Sequence, residues 1–279
     1  MRRRGIYIKV KEIKESIRSI IEICMIIFAF FFPKLVNVTK VIEICFKNTE
    51  INFDNIKYYL MLQAGNWFLG IILAVWILNR IRRFNEDKMF NTMNIYHDYP
   101  YAWYWFCAKI LGYKKCNMQR VPIYMQFKLT LNDTFGEYYV GEDSDYIVND
   151  DEQIKIERLN CNMAINEINL ILADTYPIAK EQIPIDKRKL MTIELSRNQG
   201  DYNRYFSSSY IKTIVNEVRG LPDNVRNINI FATTNPKHTF KIASSVFKMA
   251  DRGNVDKVLV FQQNKDGTRR FERKGRPVI

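Results

Sequence analysis

The sequence predicts a membrane α-helical hairpin followed by an α/β domain with a mainly parallel sheet. Three observations carry this: two long apolar runs within the first 80 residues, basic residues flanking those runs on the outside, and a strand–helix alternation through the last 90 residues. The chain has 279 residues, enough for one ordinary domain plus a membrane module. Its mean hydropathy is −0.24, typical of a soluble protein, so a membrane segment requires the apolar residues to be concentrated, and they are. Five cysteines without a C-x-x-C spacing and only two histidines, His97 and His238, argue against a disulfide scaffold, a zinc site or any metal cofactor. The first apolar run is followed by Pro33 and Lys34, which is not a signal-peptide cleavage pattern.

Residues 1–90 form the expected two-helix module, with helices at about 18–36 and 58–78. The second run, YYLMLQAGNWFLGIILAVWIL, is 21 residues without a charge, and a helix of that length crosses about 30 Å of hydrocarbon. Arg80, Arg82 and Arg83 follow it at once, a pattern that disfavours a buried core helix. The first run carries Glu22 near its start, placed to reach the interface or a partner helix, and Pro33, which ends or kinks the helix. Residues 38–46 stay apolar enough for the helix to continue. Gln63 and Asn66, with Gly65 and Gly70, read either as a helix-packing or pore-lining face or as polar residues tolerated near an interface.

Charge sets the orientation. Arg2, Arg3, Arg4, Lys9, Lys11, Lys14 and Arg18 precede the first helix, and Arg80, Arg82, Arg83 and Lys88 follow the second. The connecting segment balances Lys40, Lys47 and Lys57 with Glu43, Glu50 and Asp54. Both termini are therefore expected in the cytoplasm. Much of the net charge of +12 is topology signal on this reading, and need not imply nucleic acid.

Residues 91–120 are an aromatic connector whose uncharged core, 99–108, is too short to span; it lies either at the membrane interface or in a domain core. Residues 121–279 are the expected cytoplasmic α/β domain. YMQFKLTLN and EYYV alternate and read as two strands joined across DTFG. Residues 163–173 form another apolar run. Strands follow at 189–196, 227–232 and 257–262, helices at 207–219 and 240–250, and a hairpin turns at Asp266-Gly267.

In such a sheet, ligands sit beyond the carboxyl ends of the strands. The turns there hold Ser196, Arg197 and Asn198, then Thr233, Thr234 and Asn235, and Asp174-Thr175. Free amides near Pro236, Lys237 and His238 would suit a phosphate, with Arg197 and Arg204 closing on the same anion; as caps and turns the same residues would look alike. No Walker or dinucleotide glycine motif and no nucleophile with flanking carboxylates accompanies them, so binding without chemistry is expected. The competing readings are a membrane-anchored nucleotide- or lipid-processing enzyme, for which Asp174, Glu194 and Asp201 are the available carboxylates, and a membrane scaffold for a partner protein.

The segment from IELS through NINIFATTNPKHTFKIASSVFKMA to KVLVFQ resembles half of a SAVED domain, a relative of the CARF sensors. The matching positions are 228–231, Pro236, 242–249 and 258–261; the chain departs from the family in having Ser244 and Ser245 where a helix glycine is usual. The resemblance implies a Rossmann-like fold that binds cyclic or linear oligonucleotides in bacterial antiphage defence, functionally linked to a nucleotidyltransferase. With room for a single CARF-like unit, it implies a homo-oligomer. Joined to the hairpin, it implies an effector of the bacterial inner membrane whose helices form a channel or pore in the lipid bilayer.

Overall fold

The structure, a computed structural model, describes residues 2–46, 56–92, 95–150, 153–161, 166–197, 205–248, 255–264 and 266–279. The chain divides into two compact units, Met1–Ile95 with Trp103–Lys115, and Tyr96–Ala102 with Cys116–Ile279.

In the first unit, helix α1 (Arg2–Val36) packs along α3 (Ile56–Asn85). Their apolar stretches, Ile17–Val36 and Ile56–Asn85, bury only 22% and 6% of their most apolar windows. A core helix would be largely covered, so these surfaces need lipid rather than water. Pro33 stays inside α1, and the break comes at Asn37, whose φ of +53° ends the helix before α2 (Val38–Phe46). Helix α3 breaks at Gly65 (φ 75°, ψ 164°), a conformation that favours glycine. Asn66 bridges the two breaks: its amide donates to Asn37 Oδ1 (3.0 Å) and its Oδ1 accepts from the Thr39 N–H (3.1 Å). Further along α3, Gly70 lies against the Phe30 carbonyl with no room for a Cβ, while Gln63 is exposed.

The opposite end of the hairpin is pinned by a buried polar cluster around Glu22. Arg18 Nε (3.3 Å), Asn85 Nδ2 (2.9 Å) and the Tyr113 hydroxyl (3.3 Å) all donate to its carboxylate. Asn85 also donates to the Leu111 carbonyl (3.0 Å) and accepts from Arg18 Nη2 (2.6 Å). A carboxylate at a hydrophobic helix surface is tolerable only when so paired. Within this unit Phe90 stacks edge-on with Tyr104 and Tyr113, and Cys107 meets Ser19. Residues 103–113, which include most of helix α4 (Tyr101–Lys109), thus pack against the ends of the two long helices.

The second unit centres on a six-stranded sheet: β1 (Lys155–Leu159), β2 (Glu167–Ala173), β3 (Met191–Ser196), β4 (Asn227–Ala232), β5 (Lys257–Phe261) and β6 (Arg276–Pro277), in the order β6-β5-β4-β2-β3-β1. The inner four strands are parallel, and the two edges antiparallel. Successive connections from β2 leave to opposite sides, which puts a switch point between the carboxyl ends of β2 and β4. On one face Ile228 and Val258 line a small cavity with Val218 of helix α6 (Ser208–Arg219) and Val246 of the π-helical segment Ala243–Lys248 that continues α7 (Pro236–Ile242). On the other, Ile171, Ala173, Phe231 and Phe261 pack with Ile178, Ile183 and Phe271 from the loops.

Two sequence expectations are corrected here. YMQFKLTLN is not a strand: Ile123–Leu131 is helix α5, begun after Pro122 and closed by Asn132. It is buried on nearly every side, so no polar stripe of 3.6 period marks it, and the Thr130 hydroxyl and the Gln126 Nε2 each donate to a backbone carbonyl. The helix expected from 240 starts at Pro236, because Asn235 caps it by accepting from the His238 N–H (2.9 Å).

Gly70→Val forces a side chain into the Phe30 backbone and is expected to destabilise the hairpin by about 1–3 kcal/mol. Thermal unfolding in detergent reads this as a lowered midpoint, with the exposed Ile72→Val as an unaffected control.

Candidate functional site

The strand ends of the second unit converge on one carboxylate. Asp174 follows β2 and is 4% exposed. Arg197, following β3, donates from Nη1 to Asp174 Oδ1 (2.7 Å), with both side chains fully buried. Asp174 Oδ2 accepts from the Asn235 N–H (3.0 Å), the Asn235 amide (3.1 Å) and His238 Nδ1 (2.7 Å). The other imidazole nitrogen, Nε2, accepts from the Ser207 N–H (2.9 Å). Those two bonds define the tautomer: the proton sits on Nδ1, facing the carboxylate, and Nε2 is bare.

Burial works to raise the Asp174 pKa, but the bonds from His238, the Asn235 N–H and Arg197 outweigh it and hold the carboxyl below its ordinary value. Arg197 also lies over the Tyr205 and Tyr210 rings, at 5.2 and 6.0 Å, and His238 stacks on Phe206 at 5.4 Å. Tyr205 is held in turn, since its carbonyl accepts from the Asn235 amide (2.8 Å).

Of the residues singled out from sequence, Arg197, Asn235 and His238 therefore meet in this buried knot. Thr233 and Thr234 stand beside it: the Thr233 hydroxyl donates to the Tyr176 carbonyl (2.9 Å), and the Thr234 hydroxyl meets that of Thr239 (2.7 Å). Ser196 ends β3 half-buried. Lys237 points away from the knot, donating to Asp143 Oδ1 (2.7 Å) with its ammonium 4.4 Å from the Phe206 ring centroid. Asn198 and Arg204, and with them Asp201, lie outside the described residues. From the sequence Asp174 reads as a turn residue and a spare carboxylate, not as the hub; an aspartate directly after the apolar end of a seven-residue strand is the available signal. Asp143, Tyr205, Phe206 and Tyr210 carried no signal of their own.

Glu194 shows a different environment. Burial raises its pKa, and Glu157 sits directly opposite on β1. No group of three metal-ligating side chains occurs among the described residues.

A hairpin of two lipid-facing helices joined to an α/β domain defines the class of a two-helix membrane protein with a mainly parallel α/β domain. The chain belongs to the SMODS- and Ubiquitin system-associated 2TM effector domain family, whose model matches residues 4–279. This match meets the resemblance to two-transmembrane-helix antiphage defence effectors drawn from the sequence. No curated protein matches the chain. Among solved structures it is similar to the Acinetobacter baumannii Cap4 SAVED/CARF-domain receptor with 3'3'3'-cAAA, at 7% identity and TM-score 0.43, covering 62% of this chain and 40% of that one. The same receptor with 2'3'3'-cAAA gives 6% identity and TM-score 0.43, covering 63% and 40%. The chain thus spans well under half the length of that receptor.

Asp174→Asn removes the charge opposite a buried arginine and is expected to cost about 3–5 kcal/mol. Because the folded carboxyl has a depressed pKa, its contribution is complete above the unfolded value near 3.9 and is lost as pH falls through the folded value. Urea unfolding between pH 5 and pH 2 should show the wild type losing stability below about pH 4 and the variant losing less.

Proposed function

We propose that the chain is the membrane effector of a bacterial nucleotide-signalling defence system, controlled by a cyclic or linear oligonucleotide bound at the strand-end crevice of its α/β domain. The observation that carries this reading is the family match over residues 4–279, which joins the hairpin and the domain in one effector unit. The switch point between β2 and β4 supplies a place for the ligand, and the half-buried rim residues Ser196, Thr175 and Lys237 surround it. In this reading Arg197, Asn235 and His238 are positioning residues that hold the three strand ends through Asp174. Lys237 is the first phosphate contact, exchanging Asp143 for the ligand; Arg204 and Asn198, offered by the sequence, are further candidate contacts. The domain binds and does no chemistry.

The effector acts in the inner membrane with both termini in the cytoplasm, as a homo-oligomer. Ligand binding shifts the arrangement of that oligomer, and the hairpins form or disrupt a pore. Asn66 and Gly70 serve packing within each hairpin, and Gln63, exposed on α3, faces a neighbouring copy. The supply of the signal falls to a nucleotidyltransferase.

Calorimetric titration of the full-length protein in detergent with cyclic di- and trinucleotides and their linear forms tests the ligand class. Lys237→Gln is expected to weaken binding at least tenfold with an unchanged melting midpoint, and Asp143→Asn, which frees the ammonium, to strengthen it. Absence of binding by every nucleotide tried would remove the reading, as would indifference to both substitutions.

A further inference from the structure

We infer that the first unit carries a binding site for the headgroup of an anionic phospholipid, formed where α3 leaves its apolar stretch. A cavity of about 440 Å³ opens there, lined by Asn79, Arg82, Arg83, Glu86, Gly112 and Lys114 among others. It belongs to the first unit and does not depend on the function proposed for the second.

Position, shape and charge all point to a lipid. Asn79 is the first polar residue after the charge-free run 58–78, so the cavity begins where the hydrocarbon ends. The α3 surface leading to it is apolar and uncovered, with Ile72, Val75 and Trp76 each about half exposed, a track for acyl chains below a headgroup. Three cations face one carboxylate across the cavity, a surplus of two positive charges. Basic pockets beside transmembrane helices are a recurring headgroup site.

The pocket is also shaped rather than diffuse. Gly112 has φ of +82°, and its backbone closes so tightly on α3 that an added Cβ would lie 2.9 Å from Arg82 Cα. Arg82 Nη1 donates to the Lys109 carbonyl (3.1 Å), which fixes the guanidinium, and guanidinium groups bind phosphate through paired donors. Lys114 is ion-paired with Glu86, whose pKa is lowered by that hydrogen bond and by the Lys114 charge. Glu86 thus occupies a position on Lys114 that a phosphate would take, and acts as the competitor within the pocket.

The full-length chain in detergent, titrated with phosphatidylglycerol or phosphatidylcholine and read by native mass spectrometry, tests this. Phosphatidylglycerol should be retained in preference to phosphatidylcholine. Arg82→Gln with Arg83→Gln should lower that retention about fivefold per charge removed, whereas Lys212→Gln on α6 should not. Those arginines also orient the hairpin, so Glu86→Gln provides an independent arm that leaves every cation in place. It should raise affinity for phosphatidylglycerol about fivefold, and the neighbouring Asp87→Asn should change it less than twofold. Equal retention of the two lipids, or equal gains from Glu86→Gln and Asp87→Asn, would overturn the site. Displacement by inorganic phosphate at the same concentration as the lipid would assign the pocket to a soluble anion instead.

Discussion

Asp174 is a carboxylate with almost no contact with solvent, and the carboxyl ends of three parallel strands are tied through it. Arg197 beyond β3, Asn235 beyond β4 and His238 in α7 all spend their polar groups on its two oxygens. Through His238 the tie extends to the Ser207 N–H at the start of α6, and through Asn235 to the Tyr205 carbonyl. Such a cluster is costly to bury and cheap only when complete, so removing any one member exposes the cost of the others. It makes the strand ends a single body. A ligand that engaged Lys237 or the Ser196 turn would therefore act on a surface whose parts are already coupled.

The membrane hairpin uses the same principle at both ends. Glu22, Arg18, Asn85 and Tyr113 form one polar knot, and Asn37, Asn66 and Thr39 form another. Between them the helices are joined by close packing, with Gly70 on the Phe30 backbone, and by the Lys34 ammonium over the Trp67 ring (4.2 Å). In hydrocarbon there is little hydrophobic drive between helices, so close approach and satisfied polar groups decide their geometry. The backbone breaks at Asn37 and Gly65 fall beside the second knot, where freed amides and carbonyls need side-chain partners.

How far the structure was legible varies with the range of the interactions involved. The two spans and strands β3, β4 and β5 are read directly, since each is an apolar run bounded by turn residues or charge. Helix α5 is misread because a helix covered on nearly all sides loses its polar face, leaving the alternation of Met125, Gln126, Phe127, Lys128 and Leu129 as the only pattern. The strand-end turns are visible as turns, but the direction of their side chains is not. Arg197, Asn235 and His238 reach Asp174 from 23, 61 and 64 residues away. No local spacing encodes that meeting. Glu22 is similar, with Asn85 63 and Tyr113 91 residues distant. From the sequence the strand-end turns read as a set of free anion ligands; in the structure Arg197, Asn235 and His238 turn inward onto Asp174 instead.

In the proposed function a nucleotide signal read by the α/β domain controls the permeability of the membrane through the hairpin. Ion flux from liposomes containing the full-length protein, with and without cyclic or linear oligonucleotides, is the decisive test. The flux should change on adding one of these nucleotides, and the response should weaken in Lys237→Gln. Liposomes that remain sealed both with and without every nucleotide would rule this function out.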